Sequence, residues 1–143
     1  MTAATALPVA LVSDIGIPFS ASNPFPYGGS SLTATSGNIA NASAVATLAA
    51  AAGKTTCITG FDITGTGATV GLPVIVTVAG LLGGSITFTY AAMAGALIFN
   101  APLQVRFPAP IPASAVNTAI TVTCAALGLG ATNNVVNAYG LQI

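Results

Sequence analysis

The chain has 143 residues, the length of one domain, with 54% hydrophobic and 3% charged residues. Lys54, Arg106, Asp14 and Asp62 are its ionised side chains, the net charge is zero and there is no histidine. That balance excludes nucleic acid as a partner, because phosphate contacts come largely from Lys and Arg, and it removes the groups most often tuned for acid–base catalysis.

A soluble monomer carries about a quarter of its residues as charges, which keep it apart from its neighbours. Here Thr, Ser, Asn, Gln and backbone must supply the polar surface, and they repel nothing. Such a chain is expected to lie with much of its surface against other subunits.

Residues 1–30 have a texture of their own. Pro8, Pro18, Pro24 and Pro26 break up short apolar bursts that include Ile17, Phe19, Phe25 and Tyr27. Proline removes a donor and holds the residue before it extended, so this segment predicts neither a helix nor an inner strand. It reads as an extended arm, too apolar to be a free solvated tail. Pro8, Ile17, Pro18, Phe19, Pro24, Phe25, Pro26 and Tyr27 are expected to bind a partner surface.

From residue 31 to 143 the pattern is repeated strands between turn signals. Residues 40–52 are ambiguous, since "NIANASAVATLAAAAG" suits an alanine-rich helix capped by Gly53 as well as a strand. The alternation of Ala42, Ala44, Ala46 and Leu48 with Ser43, Val45 and Thr47 favours the strand. Gly53-Lys54-Thr55 resembles the end of a phosphate-binding loop, but Leu48 stands where the loop needs glycine. The β-branched run that follows starts a strand rather than a helix. A turn into a strand is the reading that remains.

Candidate strands then cover Ala42 to Ala49, Thr55 to Thr64, Val70 to Leu81, Ser85 to Ala91, Leu97 to Phe107, Ala119 to Ala125 and Val135 to Ile143. The segments "AAGK", "GTGA", "LGGS", "MAGA", "PAPIPAS" and "LGLGATNN" read as the turns. Alternation places Cys57, Thr59, Phe61 and Ile63 on one face of their strand. It does the same for Ile86, Phe88 and Tyr90, for Leu103, Val105 and Phe107, and for Ile120, Val122 and Cys124. The expectation is an all-β fold, a β-sandwich, with a jelly roll as one topology that fits. The uncharged window Val70 to Phe99 is long enough to span a bilayer, but Pro73, Gly83-Gly84 and Gly95 interrupt it. Its Ser85 to Tyr90 run alternates as a half-buried strand does, so no membrane segment and no secretory leader is expected.

Catalytic and metal chemistry find little to use. Asp14 and Asp62 fall in the arm and in a strand, and Cys57 and Cys124 stand singly in strand-like runs, where buried inert thiols are the expectation. Serines and threonines have no base to activate them. The sequence therefore predicts no enzyme, no metal site and no cofactor. Asn41-Ala42-Ser43 matches a glycosylation acceptor, a pattern frequent by chance. Arg106, between Val105 and Phe107 on the face away from the core, is a candidate for an ion pair between subunits, with Asp62 as its partner.

The phrases "LPVALVSDIGIPFSASNPFPYGG", "LLGGSITFTY", "FPAPIPAS" and "ALGLGATNNVVNAYGLQI" resemble those of small structural proteins of tailed-bacteriophage virions. The likeness covers most of the chain, with Cys57 as a departure where an aromatic or aliphatic residue is expected. It implies a β-sandwich displayed on the virion's capsid surface and made in the bacterial cytoplasm. The implied role is a capsid decoration or cement protein, a homo-oligomer with a trimer favoured, whose other partner is the major capsid protein. The alternative is a tail fibre, spike or baseplate module that binds a host surface glycan, for which Tyr27 and Tyr139 are the aromatic candidates.

Overall fold

The computed structural model describes residues 29–95 and 98–143. The arm residues Pro8, Ile17, Pro18, Phe19, Pro24, Phe25, Pro26 and Tyr27 lie outside them, as does Asp14. Eight strands follow one another: β1 Ser30–Thr35, β2 Ala44–Leu48, β3 Thr56–Gly65, β4 Leu72–Ala79, β5 Ile86–Ala92, β6 Leu103–Pro112, β7 Ile120–Cys124 and β8 Asn134–Gln142. No helix occurs among the described residues, and the alanine-rich segment forms β2. The long apolar window is β4, a glycine turn and β5. Gly83 and Gly84 take φ of 92° and 109° there, angles a tight hairpin turn needs and glycine adopts without strain.

The strands form two antiparallel sheets, ordered β1-β8-β3-β6 and β2-β7-β4-β5. The pairings β4 with β5, β3 with β6, β2 with β7 and β1 with β8 mean that the chain doubles back at the β4–β5 turn. The resulting two-stranded ribbon wraps into two layers. Pairs β3·β8 and β4·β7 then join its turns into continuous sheets, so both sheets are built from residues distant in sequence.

The core fills the space between the layers. Ala44, Ala46 and Leu48 enter it from β2, Val74, Val76 and Val78 from β4, and Ile120, Val122 and Cys124 from β7. From the other sheet come Ile58, Phe61 and Ile63 on β3 and Val136 and Ala138 on β8. Phe61, fully buried, meets Phe88 edge-on at 5.3 Å and tilts against Phe107 at 6.5 Å, so one aromatic cluster clamps both sheets. The inward alternation expected for β5 and β7 holds, with Tyr90, Ile120, Val122 and Cys124 buried and Ile86 and Phe88 packed on the core.

Three expectations need correction. The β3 register shifts between Ile58 and Gly60: a bulge inserts one residue, so Ile58 joins Phe61 and Ile63 in the core between the sheets, Cys57 is buried on the other side of the strand, and Thr59 is left half-buried. The "PAPIPAS" segment is not a turn up to Pro112. It is the far half of β6, tolerated because β6 lies at a sheet edge and pairs with β3 alone, where a proline breaks no second ladder. Strand β1 is not among the expected strands: its short, polar Ser30–Thr35 run sends only Leu32 and Ala34 against the core, and it begins at Ser30, the last residue of the expected arm.

Candidate functional site

Two surfaces carry chemistry, and the first is the outer face of the β1-β8-β3-β6 sheet. Register brings its outward residues into two cross-strand rows. Thr33, Tyr139, Gly60 and Arg106 form one; Thr35, Asn137, Asp62 and Gln104 form the next. Their spacing follows from the pleat, since residues two apart on a strand share a face.

Arg106 makes the rows into one network. Its Nη1 and Nη2 donate to Asp62 Oδ1 and Oδ2 at 2.8 and 3.0 Å, a bidentate pair, and Nη1 also donates to the Phe61 and Val105 carbonyl oxygens. The Tyr139 hydroxyl donates to Asp62 Oδ2 at 2.8 Å. The guanidinium carbon stands 5.0 Å from the Tyr139 ring centroid, within cation–π range. Hydrogen bonds from Arg106 hold the Asp62 carboxyl below its ordinary range; partial burial opposes them and the Tyr139 hydroxyl adds to them. Asp62 in turn pushes the Tyr139 phenol up.

Arg106 and Asp62 are the two residues expected to bridge subunits. They pair within one chain, because β6 and β3 are neighbours and the bulge at Gly60 leaves a path between them. Tyr139, a glycan candidate from the sequence, joins the same network. Beside it Thr33, Ala34, Thr35, Asn137 and Tyr139 line an open hollow of about 420 Å3.

The second surface is the end of the sandwich where residues 36–43, 66–71, 93–95, 98–102 and 125–133 converge. Backbone bonds tie these loops together. Thr69 N–H donates to Leu129 O at 2.8 Å, Gly95 N–H to Ala68 O at 2.7 Å and Asn100 N–H to Gly65 O at 3.0 Å. Asn41 Oδ1 accepts from Gly130 N–H at 2.9 Å. On this frame Val70, Phe99 and Leu129 are 67%, 79% and 80% exposed, with Met93 and Ile98 about half exposed beside them. Sequence reasoning missed this tip. Its only local mark is an apolar residue inside a glycine-rich turn, as in "ATVG" and "LGLG".

Gly53-Lys54-Thr55 forms a turn. The Gly53 N–H, which a phosphate loop would offer to its ligand, donates to Asn117 Oδ1 at 2.7 Å, and Lys54 O accepts from Asn117 N–H. Cys57 and Cys124 are free and buried, with both thiols pushed up by that burial. Among the described residues, no three His, Cys, Asp or Glu side chains come together. The first surface is polar and the second apolar. No protein-family model, curated protein or solved structure matches this chain.

Proposed function

We propose that this protein is a non-enzymatic structural component of a tailed-bacteriophage virion, a decoration or cement protein on the outside of the head shell. It assembles there as a homo-oligomer, a trimer by preference, with the major capsid protein as its second partner and the segment before β1 as an arm along that contact. The apolar tip is the observation that carries this reading. Val70, Met93, Ile98, Phe99 and Leu129 stand exposed together on a cross-linked frame, in a chain with two basic and two acidic residues.

An apolar cluster of this kind on a protein without charge repulsion is expected to associate. Remaining dispersed then depends on ordered neighbours that cover it. Covering apolar surface contributes about 25 cal/mol per Å2 before ordering costs, and repetition around a shell multiplies the effect. The strand orders β1-β8-β3-β6 and β2-β7-β4-β5 agree with a jelly roll, an architecture found in viral capsid and lectin domains, and so support the same reading.

The test is to label the protein on its parent particle and image where the copies lie. Regular copies on the head at fixed positions between capsomers are the expected result. Copies confined to the tail, or none on the particle, would overturn the proposal.

A further inference from the structure

We propose that the hollow beside Tyr139 is a binding site for a neutral sugar residue, a role independent of the shell contact. Its volume of about 420 Å3 falls in the range of small-ligand sites, roughly 300–1,000 Å3. The lining has the two things a sugar ring needs. Tyr139 supplies an aromatic surface for the ring's C–H groups, and Thr33, Thr35 and Asn137 supply hydroxyl and amide groups that both donate and accept.

The electrostatics select for a neutral ligand. Asp62 and Arg106, the charged groups adjoining the hollow, are satisfied by each other in a bidentate pair. An anionic ligand would have to compete with the Asp62 carboxylate for the guanidinium, and a cation would have to compete with Arg106 for the carboxylate. Hydroxyl groups face no such competition at Thr33 and Asn137, and the Thr35 hydroxyl, which accepts from Gly37 N–H at 3.2 Å, keeps its proton to donate.

The same pair prepares the site. Tyr139 is held by its hydroxyl on Asp62 at 2.8 Å and by the guanidinium at 5.0 Å from its ring. Its orientation is thus fixed before any ligand arrives, which lowers the ordering cost of binding. Thr33 lies directly across from Tyr139, and Thr35 from Asn137, in the β1–β8 register. The polar groups therefore stand on a rigid sheet rather than on loops.

The experiment is saturation-transfer NMR on the full chain, with methyl glycosides of glucose, galactose, mannose and N-acetylglucosamine as probes, and with sialic acid and a short peptide as comparisons. Transfer to at least one neutral glycoside is expected, weakened about tenfold or more by Tyr139→Ala and by Asn137→Ala. Tyr139→Phe, which keeps the ring but loses the hydroxyl bond to Asp62, should bind more weakly than wild type and more tightly than Tyr139→Ala, and Phe99→Ser, which lies outside the hollow's lining, should retain binding. Thermal unfolding of each variant shows whether it is folded, and Asn137→Ala serves if Tyr139→Ala is not. No transfer to any neutral glycoside would overturn the site, as would transfer unchanged in Asn137→Ala. Binding of sialic acid or peptide alone would overturn its ligand class. None of these results bears on where the protein sits on the particle.

Discussion

Arg106 reaches Tyr139 by lying across Gly60. A β-carbon at Gly60 would run into the Val105 carbonyl oxygen and stand 2.9 Å from Arg106 Cδ, so the bulged strand has to lack a side chain where the arginine crosses it. Gly60→Ala is therefore expected to overpack a central strand, at a cost of about 1–3 kcal/mol, and to lift the guanidinium away from its partners. Urea unfolding measures the loss. A double-mutant cycle with Arg106→Ala separates strand strain from loss of the ion pair: if strain dominates, the cost persists when the arginine is already gone.

The Asp62–Arg106 pair gives stability a specific pH dependence. Asp62 has a folded pKa below its unfolded one, chiefly through the Arg106 hydrogen bonds. Its contribution is therefore complete above the ordinary carboxylate pKa of about 3.9 and is lost as pH falls through the lower folded value. The Asp62 side chain is 15% exposed and that of Arg106 55%, so solvent screens the pair, and its worth is about 1 kcal/mol. Asp62→Asn should lower stability by that amount at neutral pH and flatten the acid limb of the stability profile below pH ~4. Equal acid limbs in wild type and variant would exclude this role.

The two thiols should behave as inert core groups. Cys57 and Cys124 lie on β3 and β7, in opposite sheets, and burial raises both pKa values, which lowers the thiolate fraction that reacts. A thiol reagent at neutral pH should modify the native protein slowly and both cysteines rapidly in guanidinium. Fast reaction of either in the native state would show that strand β3 or β7 opens readily.

The sandwich was legible in the sequence where a strand buries one face. Ile120, Val122 and Cys124 alternate with Thr121 and Thr123, and that period alone assigns β7 and its inward side. It failed on β3 because a bulge changes the phase without changing the composition, Gly60 being its only trace. It failed on β6 because prolines signal turns unless the strand lies at an edge, and edge position is a property of the whole topology. The site divides the same way. Opposite charges in a nearly uncharged chain pointed to Arg106 and Asp62 as partners, but their adjacency within one chain depends on β3 and β6 pairing across more than forty intervening residues. The tip required four loops to meet, which no local pattern encodes.

That tip supplies the sharpest separation between folding and assembly. Phe99 and Leu129 are mostly exposed, and their loops are held by backbone bonds that a side-chain change leaves in place: Leu129 O accepts from Thr69 N–H, and the Phe99 backbone bridges Thr66. Replacing both with serine should move the chain's own stability by no more than about 0.5 kcal/mol, as for other surface changes. In the proposed assembly, association is expected to respond differently, because each side chain removed would delete apolar area from a repeated contact. Occupancy measured by adding purified variant to particles stripped of the protein should fall steeply for Phe99→Ser/Leu129→Ser and stay near wild type for Val45→Ser, an exposed apolar residue on the opposite sheet's outer face. If both variants load equally, the tip is not the contact, and the chain's apolar surface is covered elsewhere.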